Sequence, residues 1–305
     1  MVRWLPAPLA VALSFLAMLA GLLFWALLWF LPGALLKILI PIPAFRRWMT
    51  RYLVWVGQRW TGTNRHIYRA LLPTRDWRIS LPEGLDPRRS YLLVCNHQSW
   101  ADILVLFDAL HGRVPWPRFF LKRELIWVPL IGLICWALDF PFMKRHSRET
   151  LARHPERARD DLEATRRFCQ RYRGEPLTLV NFLDGTRFTE AKRVAKQSPF
   201  RHLLRPKSAG LSFSLNAMGE QFAGLLDITL WYGNEGDLDR RWTLWRFLAG
   251  RQGQLRLTGR LLEIDPAWLH GDYQGDAAFR QHFQQQINQL WAEKDAALAT
   301  MSESG

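Results

Sequence analysis

The chain has 305 residues, enough for one large domain or two small ones. It carries 41 lysines and arginines against 27 aspartates and glutamates, so its formal charge of +14 indicates an anionic partner, either nucleic acid or an acidic membrane surface. Sixteen tryptophans favour the membrane, because tryptophan is enriched at the bilayer interface. The sequence has no zinc-finger, helix-turn-helix or RNA-binding motif, so no nucleic-acid partner is expected.

The N-terminal segment is strongly apolar, with no charged residue from Trp4 to Leu36. A helix that spans a bilayer needs about 20 apolar residues, whereas the apolar part of a signal peptide has only about 7–15. Pro32-Gly33 is expected to break the helix. Residues 1–43 are therefore predicted to anchor the chain in the membrane, either as one span plus an interfacial segment or as a two-helix hairpin.

The distribution of charge predicts the orientation of this anchor. Arg3 is the only charged side chain before the apolar run, and Lys37 and three arginines up to Arg51 follow it. By the positive-inside bias, the rest of the chain is expected to face the cytoplasm, anchored in the inner (cytoplasmic) membrane. The three cysteines form no motif, which agrees with reduced cytosolic thiols.

Residues 44–75 are basic and rich in tryptophan, and are predicted to form a surface helix plus a linker. Trp48, Tyr52 and Trp55 beside Arg47 and Arg51 suit an interfacial helix. The alternative is a basic, solvated helix that packs on the following domain. That domain is predicted to cover residues 76–305.

Apolar runs alternate with helical patterns through the rest of the chain. The expected strands are Tyr91–Cys95, Phe119–Lys122, Phe140–Met143, Leu177–Leu183, Phe222–Tyr232 and Gln254–Leu261. The expected helices are Trp100–Leu110, Trp127–Leu138, Arg153–Arg171 and Ala278–Leu298. This alternation predicts an α/β domain with a mixed, partly parallel sheet flanked by helices.

Two polar segments follow apolar strands and carry the candidate chemistry. The first runs from Asn96 to Asp102 and contains His97, and the second is Phe182-Leu183-Asp184-Gly185-Thr186-Arg187. A histidine with an orienting carboxylate, together with an arginine at the end of a glycine turn, suits chemistry on a hydroxyl group of a phosphate-bearing substrate.

His97 and Asp102 can meet only if a turn lies between them, because on a continuous helix they would point about 140° apart. Ser99 supplies such a turn as a helix N-cap. Asp102 would then lie one turn into the helix and reach back to His97. The alternative is that Asp102 only completes a capping box with Ser99.

The two segments together resemble motifs of the glycerophospholipid acyltransferases, the lysophosphatidic acid acyltransferase family. Asn96-His97-x-x-x-x-Asp102 resembles motif I, and the Asp184-Gly185-Thr186-Arg187 segment resembles motif III, Phe-Pro-Glu-Gly-Thr-Arg. Lys144-Arg145 resembles motif II, and the strand around Asp227 lies where motif IV would fall. The resemblance covers roughly residues 90–235. Asp184 and Leu183 depart from the Glu and Pro of motif III.

The resemblance implies a function and a role for each motif residue. His97 would be the general base, Asp102 would orient it, and the substrate hydroxyl would attack an acyl thioester directly. The expected substrate-binding residues are Arg145, Asp184, Gly185, Thr186 and Arg187. Acyl-CoA or acyl-carrier protein would be a cosubstrate, a lysophospholipid the acceptor and the phospholipid bilayer a partner.

The residues themselves leave rival interpretations open. Cys95 or Ser99 could act as a nucleophile, although a buried apolar role and an N-cap role explain them more simply. No metal site and no nucleotide-cofactor motif is evident, so neither is expected. A non-enzymatic, membrane-anchored basic protein that binds anionic lipid or nucleic acid would explain the charge and the tryptophans, but would leave the ordered motifs to chance.

Overall fold

A computed structural model describes residues 4–72, 77–128, 131–144, 153, 158–233, 244–251 and 254–303. The N-terminal segment is one continuous helical rod: helix α1 (Ala7–Trp25), a π-helical turn (Ala26–Phe30) and helix α2 (Leu31–Leu39). The predicted break at Pro32-Gly33 is therefore wrong. In the π turn, Leu31 N–H bonds to the Ala26 carbonyl, and this shift of the hydrogen-bond ladder by one residue accommodates a proline that has no N–H.

Helix α3 (Pro43–Leu71) turns back and packs on this rod. Gly33 permits the close approach, because a Cβ there would lie 2.8 Å from a ring carbon of Tyr52. Further along, Trp25 Nε1 donates to Thr63 Oγ1 at 2.9 Å. The predicted helix within residues 44–75 is confirmed, and its buried side contacts both the rod and the α/β domain.

The α/β domain is built on a six-stranded sheet in the order β1-β8-β7-β2-β6-β3. Its strands are β1 (Trp77–Ser80), β2 (Ser90–Cys95), β3 (Pro117–Phe119), β6 (Thr178–Phe182), β7 (Phe222–Tyr232) and β8 (Leu255–Leu262). Every neighbouring pair is parallel except β7 and β8, which are antiparallel. Strands β4 (Leu121–Lys122) and β5 (Phe142–Met143) form a separate parallel pair. The prediction of a mixed, partly parallel sheet is confirmed.

Helices cover both faces of the sheet and enclose two apolar cores. They are α4 (Ala101–Leu110), α5 (Ile131–Ala137), α6 (Ala158–Arg171), α7 (Glu190–Ala195), α8 (Ala209–Met218), α9 (Leu244–Leu248) and α10 (Ala277–Glu303). Leu93 and Cys95 of β2 belong to one core, and Leu92 and Val94 to the other. Since β2 is buried on both faces, its sequence is an unbroken apolar run.

Some predicted elements differ from the structure in extent. The expected strand Phe119–Lys122 is divided between β3 and β4, and the expected helix Trp127–Leu138 begins only at Ile131, after a 3₁₀ turn. The expected helix Arg153–Arg171 lies partly outside the described residues. Strand β1 and helices α7, α8 and α9 were not predicted, because β1, α7 and α9 are short and α8 lacks a clear apolar stripe.

Strands β2, β6 and β7 end at the same edge of the sheet. In the register, Cys95 of β2 lies beside Phe182 of β6 on one side and Ile228 of β7 on the other. In sheets of this kind, ligand sites form outside the carboxyl ends of parallel strands. The loops that follow β2 and β6 carry the two predicted motifs, so the fold brings them together at this edge.

Candidate active site

His97 and Asp102 form a direct hydrogen bond, with 2.7 Å between Nδ1 and Oδ2. His97 lies in the turn after β2, and Asp102 lies in the first turn of α4. Asp102 is fully buried, whereas 16% of the His97 side chain is exposed. No residue that the structure describes hydrogen-bonds His97 Nε2, so this nitrogen is available at the open edge of the sheet. The predicted contact between the two residues is confirmed.

Asp102 also holds the turn that presents His97. Its Oδ2 accepts the backbone N–H groups of Gln98 at 2.7 Å and Ser99 at 2.9 Å. Ser99 Oγ accepts the N–H of Ala101 at 3.1 Å. Helix α4 has Trp100 as its N-cap and no side-chain cap bond, so the expected Ser99 N-cap is displaced by one residue. Asp102 still combines the two expected contacts, because the same oxygen accepts the N–H of Ser99 and bonds to the histidine.

Tyr232 is a site residue that the sequence did not indicate. It ends β7, and its hydroxyl donates to Asp102 Oδ1 at 2.5 Å. Burial raises the pKa of Tyr232 well above its usual value, so the hydroxyl remains a donor. Both oxygens of the Asp102 carboxylate therefore form hydrogen bonds, which fixes the orientation of the carboxylate toward His97.

The histidine ring and its backbone are fixed by neighbouring strands. The imidazole stacks on Phe182 of β6, with 4.2 Å between ring centroids and 20° between planes. Asn96, the residue before His97, has a fully buried side chain. It exchanges two 2.8 Å hydrogen bonds with the backbone of Leu230 in β7. These contacts hold the start of the motif against both strands that flank β2.

Asp184 is buried and accepts hydrogen bonds from two backbone segments. Its Oδ2 accepts the N–H of His97 at 2.8 Å, and its Oδ1 accepts the N–H of Leu204 at 2.9 Å. Burial raises the pKa of Asp184 to about 7, although the two backbone donors oppose this shift. Predicted to bind substrate, Asp184 instead has no exposed surface and positions the His97 backbone.

The rest of the second motif forms a turn beside His97. Gly185 has φ +66°, a conformation that favours glycine, and a Cβ there would lie 2.9 Å from Lys207 Cδ. The N–H of Phe188 donates to the His97 carbonyl at 2.7 Å, which ties the end of the turn to the first motif. Gly185, Thr186 and Arg187 therefore lie on the same side of the sheet edge as the histidine.

Cationic groups gather around this turn. The Arg187 guanidinium lies over the Trp100 ring, 4.8 Å from its centroid. Lys192, which the sequence did not indicate, donates to Thr186 Oγ1 at 3.1 Å and to the Arg187 carbonyl at 2.9 Å. Two cations beside His97 provide a local field suited to a phosphate group.

Arg145 and Cys95 are the remaining sequence candidates. Arg145 lies outside the described residues, and its neighbour Lys144 pairs with Asp160 at 2.8 Å. Cys95 is fully buried and burial raises its pKa well above the usual value, so it does not provide a thiolate nucleophile. Within the described parts of the chain, no three His, Cys, Asp or Glu side chains are grouped to hold a metal ion.

The chain is similar in sequence to curated acyltransferases. The 1-acyl-sn-glycerol-3-phosphate acyltransferase gamma of Mus musculus is 28% identical over 217 residues, which cover 64% of this chain and 53% of that protein. The 1-acyl-sn-glycerol-3-phosphate acyltransferase 2 of Arabidopsis thaliana is 26% identical over 188 residues, covering 58% and 44% respectively. The chain thus spans about half the length of these two curated relatives.

A solved structure shares the fold. The crystal structure of the 1-acyl-sn-glycerophosphate (LPA) acyltransferase PlsC from Thermotoga maritima matches with a TM-score of 0.51 and 16% identity, over 94% of this chain and 98% of that one. The sequence model of the Acyltransferase family matches residues 77–230, slightly more than half of the chain. These residues contain the whole His97–Asp102 and Asp184–Arg187 arrangement, and the chain belongs to the Acyltransferase family.

Proposed function

We propose that this protein is a membrane-bound acyltransferase that moves a fatty acyl group from acyl-CoA or acyl-carrier protein to the free hydroxyl of lysophosphatidic acid or a related lysophospholipid. The proposal is supported by its family and by relatives named 1-acyl-sn-glycerol-3-phosphate acyltransferases. The observation that carries it is the hydrogen bond between His97 and Asp102. It leaves Nε2 of His97 available beside the turn that contains Arg187.

In the reaction, His97 Nε2 takes the proton of the acceptor hydroxyl while the hydroxyl oxygen forms a bond to the thioester carbonyl carbon. The imidazolium that forms is stabilised by the Asp102 carboxylate at Nδ1. When the tetrahedral intermediate collapses, the C–S bond breaks and the leaving thiolate takes the proton from the imidazolium. The thioester is already activated, so no covalent acyl-enzyme is required.

Arg187 and Lys192 are proposed to bind the acceptor's phosphate. The Arg187 guanidinium can accommodate two phosphate oxygens with parallel N–H donors, and Trp100 beneath it limits its orientation. Lys192 anchors the turn through Thr186 and the Arg187 carbonyl, and adds a second positive charge. The phosphate would thereby hold the lysolipid while its hydroxyl meets His97.

Membrane attachment is proposed from the helical rod Ala7–Leu39. It has 33 residues, is long and apolar enough to cross a membrane, and only 17% of its most apolar stretch is buried. Its exposed large side chains include Leu9, Leu16, Leu28 and Leu39. A soluble protein rarely exposes so large a contiguous apolar surface. We propose that the catalytic edge faces the cytoplasm, as the positive-inside bias indicates.

The proposal is tested with the full chain, purified in a neutral detergent and assayed against a panel of lysolipids with both acyl-CoA and acyl-carrier-protein donors. Product is quantified by mass spectrometry. His97→Ala should lower kcat about 10²–10⁴-fold, the usual contribution of a general base. The matched control is His66→Ala, an exposed histidine of α3 that should turn over like the wild type.

Two results would contradict the proposal. Near-normal turnover of a folded His97→Ala would remove His97 from the chemistry. Lysolipid binding without any turnover of the wild-type protein, with either donor, would favour the non-enzymatic, lipid-binding alternative. Transfer to a lysolipid other than lysophosphatidic acid would keep the activity and change only the acceptor.

A further inference from the structure

A cavity lined by cationic side chains lies far from His97, at the opposite edge of the sheet. Its volume is about 760 Å³, and its walls come from the first half of α3, the end of α5, the end of α6 and the segments before β2, β3 and β6. Strand β2 runs from this edge to the catalytic edge. Its six residues span about 20 Å, which is the separation of the two edges. The cavity is therefore separate from the proposed reaction site.

The cavity is strongly cationic. Six of its lining residues are Lys37, Arg46, Arg47, Arg51, Arg118 and Arg171, and only two, Asp139 and Glu175, are acidic. The lining residues therefore carry a formal charge of +4. In a partly enclosed space, such a charge attracts anions, and guanidinium groups match phosphate oxygens in particular.

Both acidic residues form ion pairs with cations of the cavity wall. Asp139 accepts from Lys37 at 3.0 Å, from Arg171 at 2.7 Å and from Thr50 at 3.1 Å, and Glu175 pairs with Arg51. The Arg47 side chain is exposed and makes no hydrogen bond or ion pair with any residue that the structure describes. Positive charge therefore remains for a ligand after the internal pairs are formed.

Buried donors also line the cavity. Trp116 is only 6% exposed, and its Nε1–H has no hydrogen-bond partner among the described residues. Arg118 is 3% exposed, stacks on Tyr172 with 4.4 Å to the ring centroid, and donates one bond to the Leu138 carbonyl. A buried N–H without a partner costs free energy, which a ligand oxygen in the cavity would recover.

Exposed apolar residues adjoin the cationic walls. Trp55 and Trp136 line the cavity and are each 40% exposed. Ile42, which is 58% exposed, immediately precedes the lining residue Pro43, and Leu39, which is 72% exposed, ends helix α2 just before it. A ligand with a phosphate group and acyl chains would satisfy both surfaces, whereas a free phosphate ion would use only the charge.

We propose that this cavity binds the phosphate headgroup of an anionic phospholipid, at a site distinct from the catalytic edge, with the acyl chains lying along Leu39, Ile42 and Trp136. The lipid would connect the helical rod to the α/β domain, because Lys37 belongs to α2 and Arg171 to α6. The site would hold a lipid of the surrounding bilayer rather than the reacting lysolipid.

The test measures binding of dioctanoyl phosphatidylglycerol to the full chain in neutral detergent by native mass spectrometry. Arg47→Glu should weaken binding about tenfold, equivalent to about 1.4 kcal/mol. The matched control, Arg69→Glu, makes the same charge change at the other end of α3, 22 residues and about 33 Å away, and should bind like the wild type. Arg187→Ala, at the catalytic edge, should also retain binding. Thermal unfolding midpoints confirm that each variant is folded.

Two further titrations distinguish a lipid headgroup from a free phosphate ion as the ligand. One replaces the lipid with dioctanoyl phosphatidylcholine, and the other adds inorganic phosphate as a competitor. The proposal predicts weak binding of the zwitterionic lipid and little displacement by phosphate. Unchanged binding in Arg47→Glu, equal losses in both charge reversals, loss in Arg187→Ala, or complete displacement by phosphate would each overturn it.

A second measurement uses the wild-type chain alone. A phosphatidylglycerol with a photoreactive diazirine near its glycerol should label peptides that contain residues 39–58 and 136–139, as read by peptide mass spectrometry. Labelling confined to residues 97–102 and 185–192 would place the lipid at the catalytic edge and refute a separate site.

Discussion

Asp102→Asn separates the two roles of this carboxylate. Asp102 Oδ2 accepts from His97 Nδ1, Gln98 N and Ser99 N, and Oδ1 accepts from the Tyr232 hydroxyl. An asparagine whose oxygen takes the place of Oδ2 keeps the first three bonds. Its NH₂ group then meets the Tyr232 oxygen, which can accept in turn. The helix cap should survive while the negative charge is lost.

The expected kinetic effect follows from the 2.7 Å separation of Nδ1 and Oδ2. A hydrogen bond to a charged group contributes about 1.5–3 kcal/mol, and the Coulomb energy of an imidazolium–carboxylate pair at this distance reaches about 6 kcal/mol at an effective dielectric constant of 20. We therefore expect the transition state to lose about 2–5 kcal/mol, a decrease in kcat of about 30- to 5,000-fold. KM for the lysolipid should change little, because the charge acts when the imidazolium forms.

The assay follows thiol release from an acyl thioester at saturating lysophosphatidic acid, together with thermal unfolding. Asp102→Asn should unfold near the wild-type temperature. Asp102→Ala should unfold several degrees lower, since it removes the acceptor of the Gln98 and Ser99 N–H groups. Full activity of Asp102→Asn alongside an unstable Asp102→Ala would show that the residue only caps the helix and would refute the catalytic argument.

Three further predictions concern the second motif. Arg187→Lys keeps the charge but loses the planar fork, so KM for the lysolipid should rise while KM for the donor changes little; a change confined to the donor would place Arg187 elsewhere. Gly185→Ala should lower the unfolding free energy by about 1–2 kcal/mol, because φ is +66° and the new Cβ meets Lys207; an unchanged denaturant midpoint would contradict this. Because the folded pKa of Asp184 is about 7 against an ordinary 3.8, its contribution to stability should be lost as pH rises from about 4 to 7. Asp184→Asn should remove this component of the unfolding profile, and an identical pH dependence in both proteins would argue against the raised pKa.

The sequence predicts best those elements whose environment is uniform. Strands β2 and β7 are recognisable because both faces are buried and their apolar runs are continuous. Strand β1 has only four residues, all partly or fully exposed, so its pattern carries little information. The break expected at Pro32 is absent for a different reason: the π turn Ala26–Phe30, which ends two residues before the proline, rearranges the hydrogen bonds that proline would have disrupted.

The contacts of the site also differ in how far apart their residues lie in the sequence. His97 and Asp102 lie five residues apart, and a helix cap between them is enough to predict their contact. Tyr232 lies 130 residues beyond Asp102, and only the parallel pairing of β2 with β7 brings it there. A polar residue at the carboxyl end of an apolar strand was its one signal, and this signal becomes useful only once the neighbouring strand is known.

Asp184 and Asp102 divide the positioning of His97 between them. Asp184 holds the histidine backbone and links it to Leu204, while Asp102 holds the ring and the turn that follows. Both carboxylates are fully buried, so their geometry is set by the fold rather than by solvent. Because Asp184 is one methylene shorter than the glutamate usual in the resembling motif, its two bonds require the β6 turn to lie close to the β2 turn, and the 2.7 Å bond from Phe188 N to the His97 carbonyl has this effect. The departure at position 184 is thus accommodated by the backbone, and it leaves the His97–Asp102 contact intact.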